Sequence, residues 1–229
     1  MNPKNSSLFF ACTVSQSLLA YDKKKDFRLF FESQTRRESW CLETINDDNM
    51  MAVGQSEGRV CFYEASRRKA KFRERHSLHA FGSSSVWKIK RLMLHKNNSA
   101  KRQVLAVGSW GKGMRLITAD MKHRRLKADS QVFMAGKHVQ DILELPDGKL
   151  FVAERFKCEY FVIDLELQTQ MFMCKGHSWA IQVIPFPGFD MDEFPYILAK
   201  EDYCLSIVNA KDGEWYKLKN KVYEARPLN

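Results

Sequence analysis

Proline and glycine are scarce, at six and eleven in 229 residues, and this excludes long flexible linkers. No apolar run reaches the roughly 18 residues of a membrane-spanning helix, so no transmembrane segment is expected. No i, i+3, i+4, i+7 stripe persists for three turns, which leaves little room for long amphipathic helices. The six cysteines (Cys12, Cys41, Cys61, Cys158, Cys174, Cys204) contain no Cys-x-x-Cys pair. Most lie inside apolar runs, as buried free thiols of a reducing compartment do. Enzyme signatures are missing as well: there is no Gly-x-Ser-x-Gly, no Gly-x-x-x-x-Gly-Lys and no His-Glu-x-x-His. Cys174 and His177 are two ligands without the further two a zinc site needs. Glu154, Asp164, Asp190 and Asp202 offer no reason to pair any two as catalytic carboxylates. The expectation is a non-catalytic protein with no catalytic residue, no cofactor and no metal.

What is present suits a packed β protein. Hydrophobic residues make up 45% of the chain and aromatics 12%, enough for a core and too many for disorder. Near the N-terminus, Lys4 precedes Leu8-Phe9-Phe10-Ala11-Cys12-Thr13-Val14, and Leu18-Leu19-Ala20 follows, a weak signal-peptide pattern. Ser15, Gln16 and Ser17 interrupt it where continuity matters, so two strands joined by a polar turn are expected instead. Asn5-Ser6-Ser7 and Asn97-Asn98-Ser99 match the glycosylation pattern, which is short enough to arise by chance.

Four stretches repeat one another. Met50-Met51-Ala52-Val53-Gly54, Val104-Leu105-Ala106-Val107-Gly108, Leu150-Phe151-Val152-Ala153 and Tyr196-Ile197-Leu198-Ala199 are short apolar runs. Each is followed by a polar turn and an alternating run: Val60 to Tyr63, Met114 to Ile117, Tyr160 to Ile163, Cys204 to Ile207. The copies start about 45–55 residues apart, the range in which repeats make propellers or solenoids. In the first complete repeat, strands are expected at Trp40 to Ile45, Met50 to Gly54, Val60 to Ala65 and around Ser77 to Phe81. The expected fold class is all-β: one domain over 1–229, a β-propeller of four-stranded blades, with about five blades or an incomplete ring. Its parts are a partial blade at 1–34, blades at 39–81, 86–136, 139–176 and 179–220, and a closing strand or tail at 221–229. In a closed ring, Val222 to Ala225 would pair with the incomplete first blade.

Lys175-Gly176-His177-Ser178-Trp179 resembles the Gly-His element of the WD-repeat family. Ala199-Lys200-Glu201-Asp202-Tyr203-Cys204-Leu205-Ser206-Ile207-Val208-Asn209 is similar to that family's second strand, aspartate turn and third strand. Tyr63-Glu64 stands for the Trp-Asp dipeptide, Val162-Ile163-Asp164 keeps only the Asp, and Ile117-Thr118 has neither. The resemblance implies a buried tetrad of His, Ser/Thr, Asp and Trp, of which His177 and Asp202 match. Lys200 stands where the Ser would be, and Val208 where the Trp would be. Leu143 to Leu150 is equally similar to turns of other propeller families, some of which contain enzymes.

Charge is unevenly held. Residues 1–137 carry 27 Lys/Arg against 12 Asp/Glu, and residues 138–229 carry 10 against 15, within a net +10. Four clusters hold most of the excess: Lys23-Lys24-Lys25; Arg67-Arg68-Lys69 with Lys71, Arg73 and Arg75; Lys96 with Lys101-Arg102; and Lys122 with Arg124-Arg125 and Lys127. The expected strand order puts all four on the face of strand 1–2 and 3–4 connections, with acidic Asp190, Asp192 and Glu193 on the same side. An anionic-partner face is therefore expected at Lys24, Arg67, Arg68, Arg73, Lys101, Arg102, Arg124 and Arg125. Aromatics that would stack bases are sparse in these loops, so sequence-specific reading of nucleic acid is not indicated. The opposite face gathers Trp40, Trp87, Trp110, His138, Arg155, Trp179 and Tyr203, an aromatic rim of the kind that anchors protein partners.

These features point to a scaffold in a cytoplasmic or nuclear multi-subunit assembly. Its rim would take a peptide or neighbouring subunit, and its basic face RNA or an acidic protein segment. A second reading makes it RNA- or ribonucleoprotein-associated, with the basic face dominant. A third is a propeller hydrolase or lyase, whose site would come from separated loops that no spacing reveals.

Overall fold

The alternating runs become strands because each buries one set of alternate side chains and exposes the other. The computed structural model describes residues 8–45, 50–66, 68–186, 191 and 196–218. The expected closing segment Val222 to Ala225 lies outside them, as do Lys4, Asn5 to Ser7, Arg67, Asp190, Asp192 and Glu193. Among the described residues there is no α-helix, only strands and a 3-10 turn at Lys23–Lys25.

The chain divides into two compact units, Met1–Gly136 and Lys137–Asn229. The first holds three sheets. Sheet I comprises β1 (Leu8–Cys12), β2 (Ser17–Asp22) and β3 (Arg28–Gln34). Sheet II comprises β4 (Ser39–Thr44), β5 (Met50–Gln55), β6 (Arg59–Ser66) and β7 (Lys71–His79). Sheet III comprises β8 (Val86–Leu92), β9 (Arg102–Ser109), β10 (Met114–Asp120) and β11 (Arg125–Ala128). The second unit holds two. Sheet IV comprises β12 (Val139–Glu144), β13 (Leu150–Glu154), β14 (Glu159–Asp164) and β15 (Thr169–Lys175). Sheet V comprises β16 (Ala180–Pro185), β17 (Tyr196–Glu201), β18 (Leu205–Asn209) and β19 (Trp215–Leu218). Every sheet is an antiparallel meander in chain order.

The four complete sheets share a device that apolar patterning does not reveal. Each first strand bulges one residue from its start, between Ser39 and Cys41, Val86 and Lys88, Val139 and Asp141, and Ala180 and Gln182. Trp40, Trp87, Gln140 and Ile181 are the extra residues. The second strand ends in a buried polar residue each time: Gln55, Ser109, Glu154 and Glu201. The next residue donates its N–H to the chain just before the first strand, as Ser56 to Glu38, Trp110 to Ser85, Arg155 to His138 and Asp202 to Trp179. The repeat is therefore a repeat of backbone geometry at one end of each complete sheet.

Apolar packing explains the runs from which the repeat is read. All of β5 and all of β13 are buried, and so are the last six residues of β9, because both faces of these strands are covered. Strands covered on both faces carry continuous apolar residues. β17 alternates instead, with Ile197 and Ala199 buried and Lys200 exposed. In the first unit, Leu18, Ala20 and Phe31 of sheet I pack with Met51, Val53 and Phe72 of sheet II, whose Ala52 and Phe62 meet Ile89, Leu105 and Ile117 of sheet III. In the second, Phe151, Ala153 and Tyr160 join Val183, Ile197 and Val208.

Two boundaries differ from expectation. The fourth strand of sheet II begins at Lys71 rather than near Ser77, so Arg73 lies on a strand, not in a connection. Arg125 and Lys127 likewise belong to β11. These outermost strands have single buried anchors, Phe72 and Leu126, between exposed cations. Charged alternation around one apolar residue reads as a loop.

Candidate functional site

In the second unit the site is built around Glu201, at the end of β17 and fully buried. Its Oε2 accepts from the His177 N–H at 2.9 Å, the Ser178 N–H at 3.0 Å and the Cys204 thiol at 3.2 Å. Its Oε1 accepts from the Ser206 hydroxyl at 3.1 Å and the Tyr160 hydroxyl at 3.2 Å. Burial alone would raise its pKa, but the Cys204 thiol, the His177 and Ser178 N–H groups and the Ser206 hydroxyl outweigh it. They hold the carboxyl below its ordinary value. Gly176 admits this carboxylate because it has no side chain: a Cβ there would collide with Oε1 and come within 2.6 Å of the Cys158 sulfur. The pairing of His177 with Asp202 as buried tetrad members is therefore corrected. The pinning acid is Glu201, Asp202 is only half-buried, and the His177 ring is exposed, set edge-on to Trp215 at 4.7 Å. Only the His177 backbone enters the network.

Above this network lies a cleft of about 500 Å³. Phe156, Trp179 and Tyr203 line it with Lys157, Lys175 and His177. Trp179 is 48% and Tyr203 74% exposed, so both rings are open to a ligand. Phe156 stands edge-on to Trp179 at 5.8 Å and to His138 at 4.9 Å. Arg155 places its guanidinium 5.6 Å from the centre of the Trp179 ring and donates to Gln140 Oε1 at 3.1 Å. His138, Arg155 and Trp179 thus form one contact chain, and Tyr203 shares the cleft with Trp179. His138 itself is buried, as a wall behind Phe156. Burial, then the Arg155 charge, pushes its pKa down to about 4. Phe156 is the residue sequence reading missed. It follows Arg155 in a polar turn, and an isolated phenylalanine there breaks no pattern.

In the first unit, Trp40 and Trp87 stack at 5.0 Å with planes 26° apart, and Trp110 meets Trp87 at 5.0 Å and 65°. The bulges put Trp40 and Trp87 together, since both are the extra residue of adjoining first strands. Trp110, 42% exposed, occupies the position that Arg155 and Asp202 hold in sheets IV and V. Trp179 belongs to another register, that of Glu38, Ser85 and His138.

Among the expected anionic-face residues, Arg67 lies outside the described residues. Lys24, Arg68, Arg73, Lys101, Arg102, Arg124 and Arg125 are all exposed, and all lie in the first unit. Arg124 is partly neutralised, at 3.5 Å from Glu64, which also holds Arg75. Lys24 sits in the 3-10 turn that follows β2, capped by Asp22. Arg102 and Arg125 flank a second cleft, of about 560 Å³. All six cysteines are free, and burial raises their pKa values, that of Cys158 to about 11 and of Cys174 to about 12. They are poor nucleophiles.

Compared with known proteins, the chain matches no family model and no curated protein.

Proposed function

We propose that the chain is a divergent WD-repeat-like β-propeller, or part of one, that works as a non-catalytic interaction scaffold. Its four complete sheets would be blades and sheet I a partial one, the bulge and buried polar position shared by the four being the marks of one repeated unit. The observation that carries the function is the cleft of the second unit, where Phe156, Trp179 and Tyr203 stand open beside Lys157 and Lys175. Half-exposed aromatics held by a rigid buried network are anchors that bind at little conformational cost. The cations around them favour a peptide with aromatic and acidic residues.

Selection from a random peptide library tests this. The wild-type chain is expected to enrich acidic, aromatic peptides whose affinity falls at least about tenfold with Trp179→Ala, the loss of one anchoring residue. Peptides enriched equally by the wild type and by Trp179→Ala would overturn the reading.

A basic surface on the first unit favours a second reading, an RNA- or ribonucleoprotein-associated protein. Exposed Arg68, Arg73, Arg124 and Arg125 are its basis. Neutralising Arg68, Arg73, Arg124 and Arg125 together is expected to weaken RNA retention sharply if this reading holds, and unchanged retention rejects it.

A further inference from the structure

At one end of sheet III the register sets Arg102 and Arg125 directly opposite Asp120, one on each neighbouring strand. Two residues along β10, Thr118 lies opposite Lys127 of β11. Residues two apart on a strand share a face, so these five side chains stand together on one surface. They line the cleft of about 560 Å³ with His123.

A carboxylate between two arginines ordinarily neutralises them. Here it does not. Asp120 is turned into the β10–β11 turn, accepting from the His123 N–H at 2.9 Å and meeting His123 Nδ1 at 2.9 Å. Among the described residues, Arg102, Arg125 and Lys127 form no ion pair. Arg124, next to Arg125 in sequence, and Arg75 of β7 are instead held by Glu64. The cleft thus keeps three cations against one acid already engaged.

We propose that this cleft binds the phosphate group of a small phosphomonoester, with Arg102 and Arg125 as forked donors, Lys127 as a point charge and the Thr118 hydroxyl as a further donor. This rests on, and narrows, the reading that the basic surface takes an anionic partner. A net charge of two matches a phosphomonoester, which carries about −1.5 to −2 near pH 7. Two guanidinium forks can share the three terminal oxygens of a phosphomonoester, whereas a carboxylate offers only two. The volume falls in the roughly 300–1,000 Å³ range of small-molecule sites, so the cleft has room for more than the phosphate itself.

The test is a titration of the full chain with inorganic phosphate, phenyl phosphate and acetate at constant ionic strength, followed by amide chemical shifts. Saturable binding of both phosphates, with shifts centred on β9, β10 and β11 and acetate much weaker, is expected. Arg102→Gln with Arg125→Gln should weaken it at least about tenfold, and Lys127→Gln by severalfold, with unchanged thermal midpoints. Lys69→Gln with Lys71→Gln removes equal charge from exposed positions at the β6–β7 turn and the start of β7, and should change affinity less than about twofold if the site is local. Failure of either phosphate to saturate, acetate binding as tightly, or equal losses in the two double variants overturns the proposal. Retention on immobilised heparin separates the two levels: a chain retained there but blind to phosphate keeps its basic surface and loses this site. A chain that saturates with phosphate yet is not retained keeps the site and loses the broader surface.

Discussion

Glu201 does at residue scale what one charged group can do for a loop: it is the shared acceptor for donors from β14, β18 and the chain between β15 and β16. In Glu201→Leu the buried Tyr160 and Ser206 hydroxyls and the buried Cys204 thiol lose that acceptor, as do the part-buried N–H groups of His177 and Ser178. At about 1–3 kcal/mol for each unsatisfied buried group, a loss of at least about 3 kcal/mol is expected, measured as a lowered denaturant midpoint. Its depressed pKa gives stability that is complete above the ordinary carboxylate range and is lost as pH falls through the folded value. Gly176→Ala should destabilise through the same network, since the added methyl meets the carboxylate and the Cys158 sulfur. His138 adds a second acid-sensitive group. Unfolded, it takes a proton near pH 6.5, and folded only at about 4, so the unfolded state binds more protons between those values. Stability is therefore expected to fall by about 3 kcal/mol as pH drops through that window, and His138→Gln should flatten the slope there. Sequence made His177 conspicuous and Glu201 ordinary. A glutamate at a strand end is usually solvated, and only the approach of Gly176 and Tyr160 makes this one a buried hub.

At the scale of the element, the strands were legible and their irregularities were not. Apolar runs such as Met50 to Val53 and Leu150 to Ala153 mark central strands because both of their faces are covered. Outermost strands show the opposite: β7 presents Lys71, Arg73 and Glu74 to solvent and anchors itself by Phe72. That ring lies 4.8 Å from Phe31 and 5.8 Å from Phe10, joining sheets I and II. Phe72→Ala is expected to cost about 3–5 kcal/mol, and hydrogen exchange should quicken first in β1, β2 and β3. The bulges escape sequence reading because a residue inserted into a ladder changes no composition. They nonetheless decide which tryptophans meet: Trp40 and Trp87 stack as two bulge residues, whereas Trp179 sits in a different register.

For the whole molecule, charge is the long-range property. The first unit holds the cationic excess, so binding of any polyanion there should fall steeply between about 50 and 200 mM salt. Peptide binding at Phe156 and Trp179, dominated by apolar contact, should change far less over that range. Chromatography on heparin and peptide titration, each at both salt concentrations, measure the difference. Parallel losses would show that Lys157 and Lys175, the cations of the cleft, dominate peptide binding rather than its aromatics.

The sequence by itself determined that the chain is built of strands, that they come in repeated groups, and where the cations are concentrated. Each of these follows from local alternation, composition and spacing. Only the tertiary structure decided that Glu201 rather than Asp202 is the buried acid, that Phe156 completes an aromatic cleft, and that Asp120 turns to His123 instead of its flanking arginines. Those outcomes depend on bulges, turns and side-chain directions, and neighbours far apart in the chain set them.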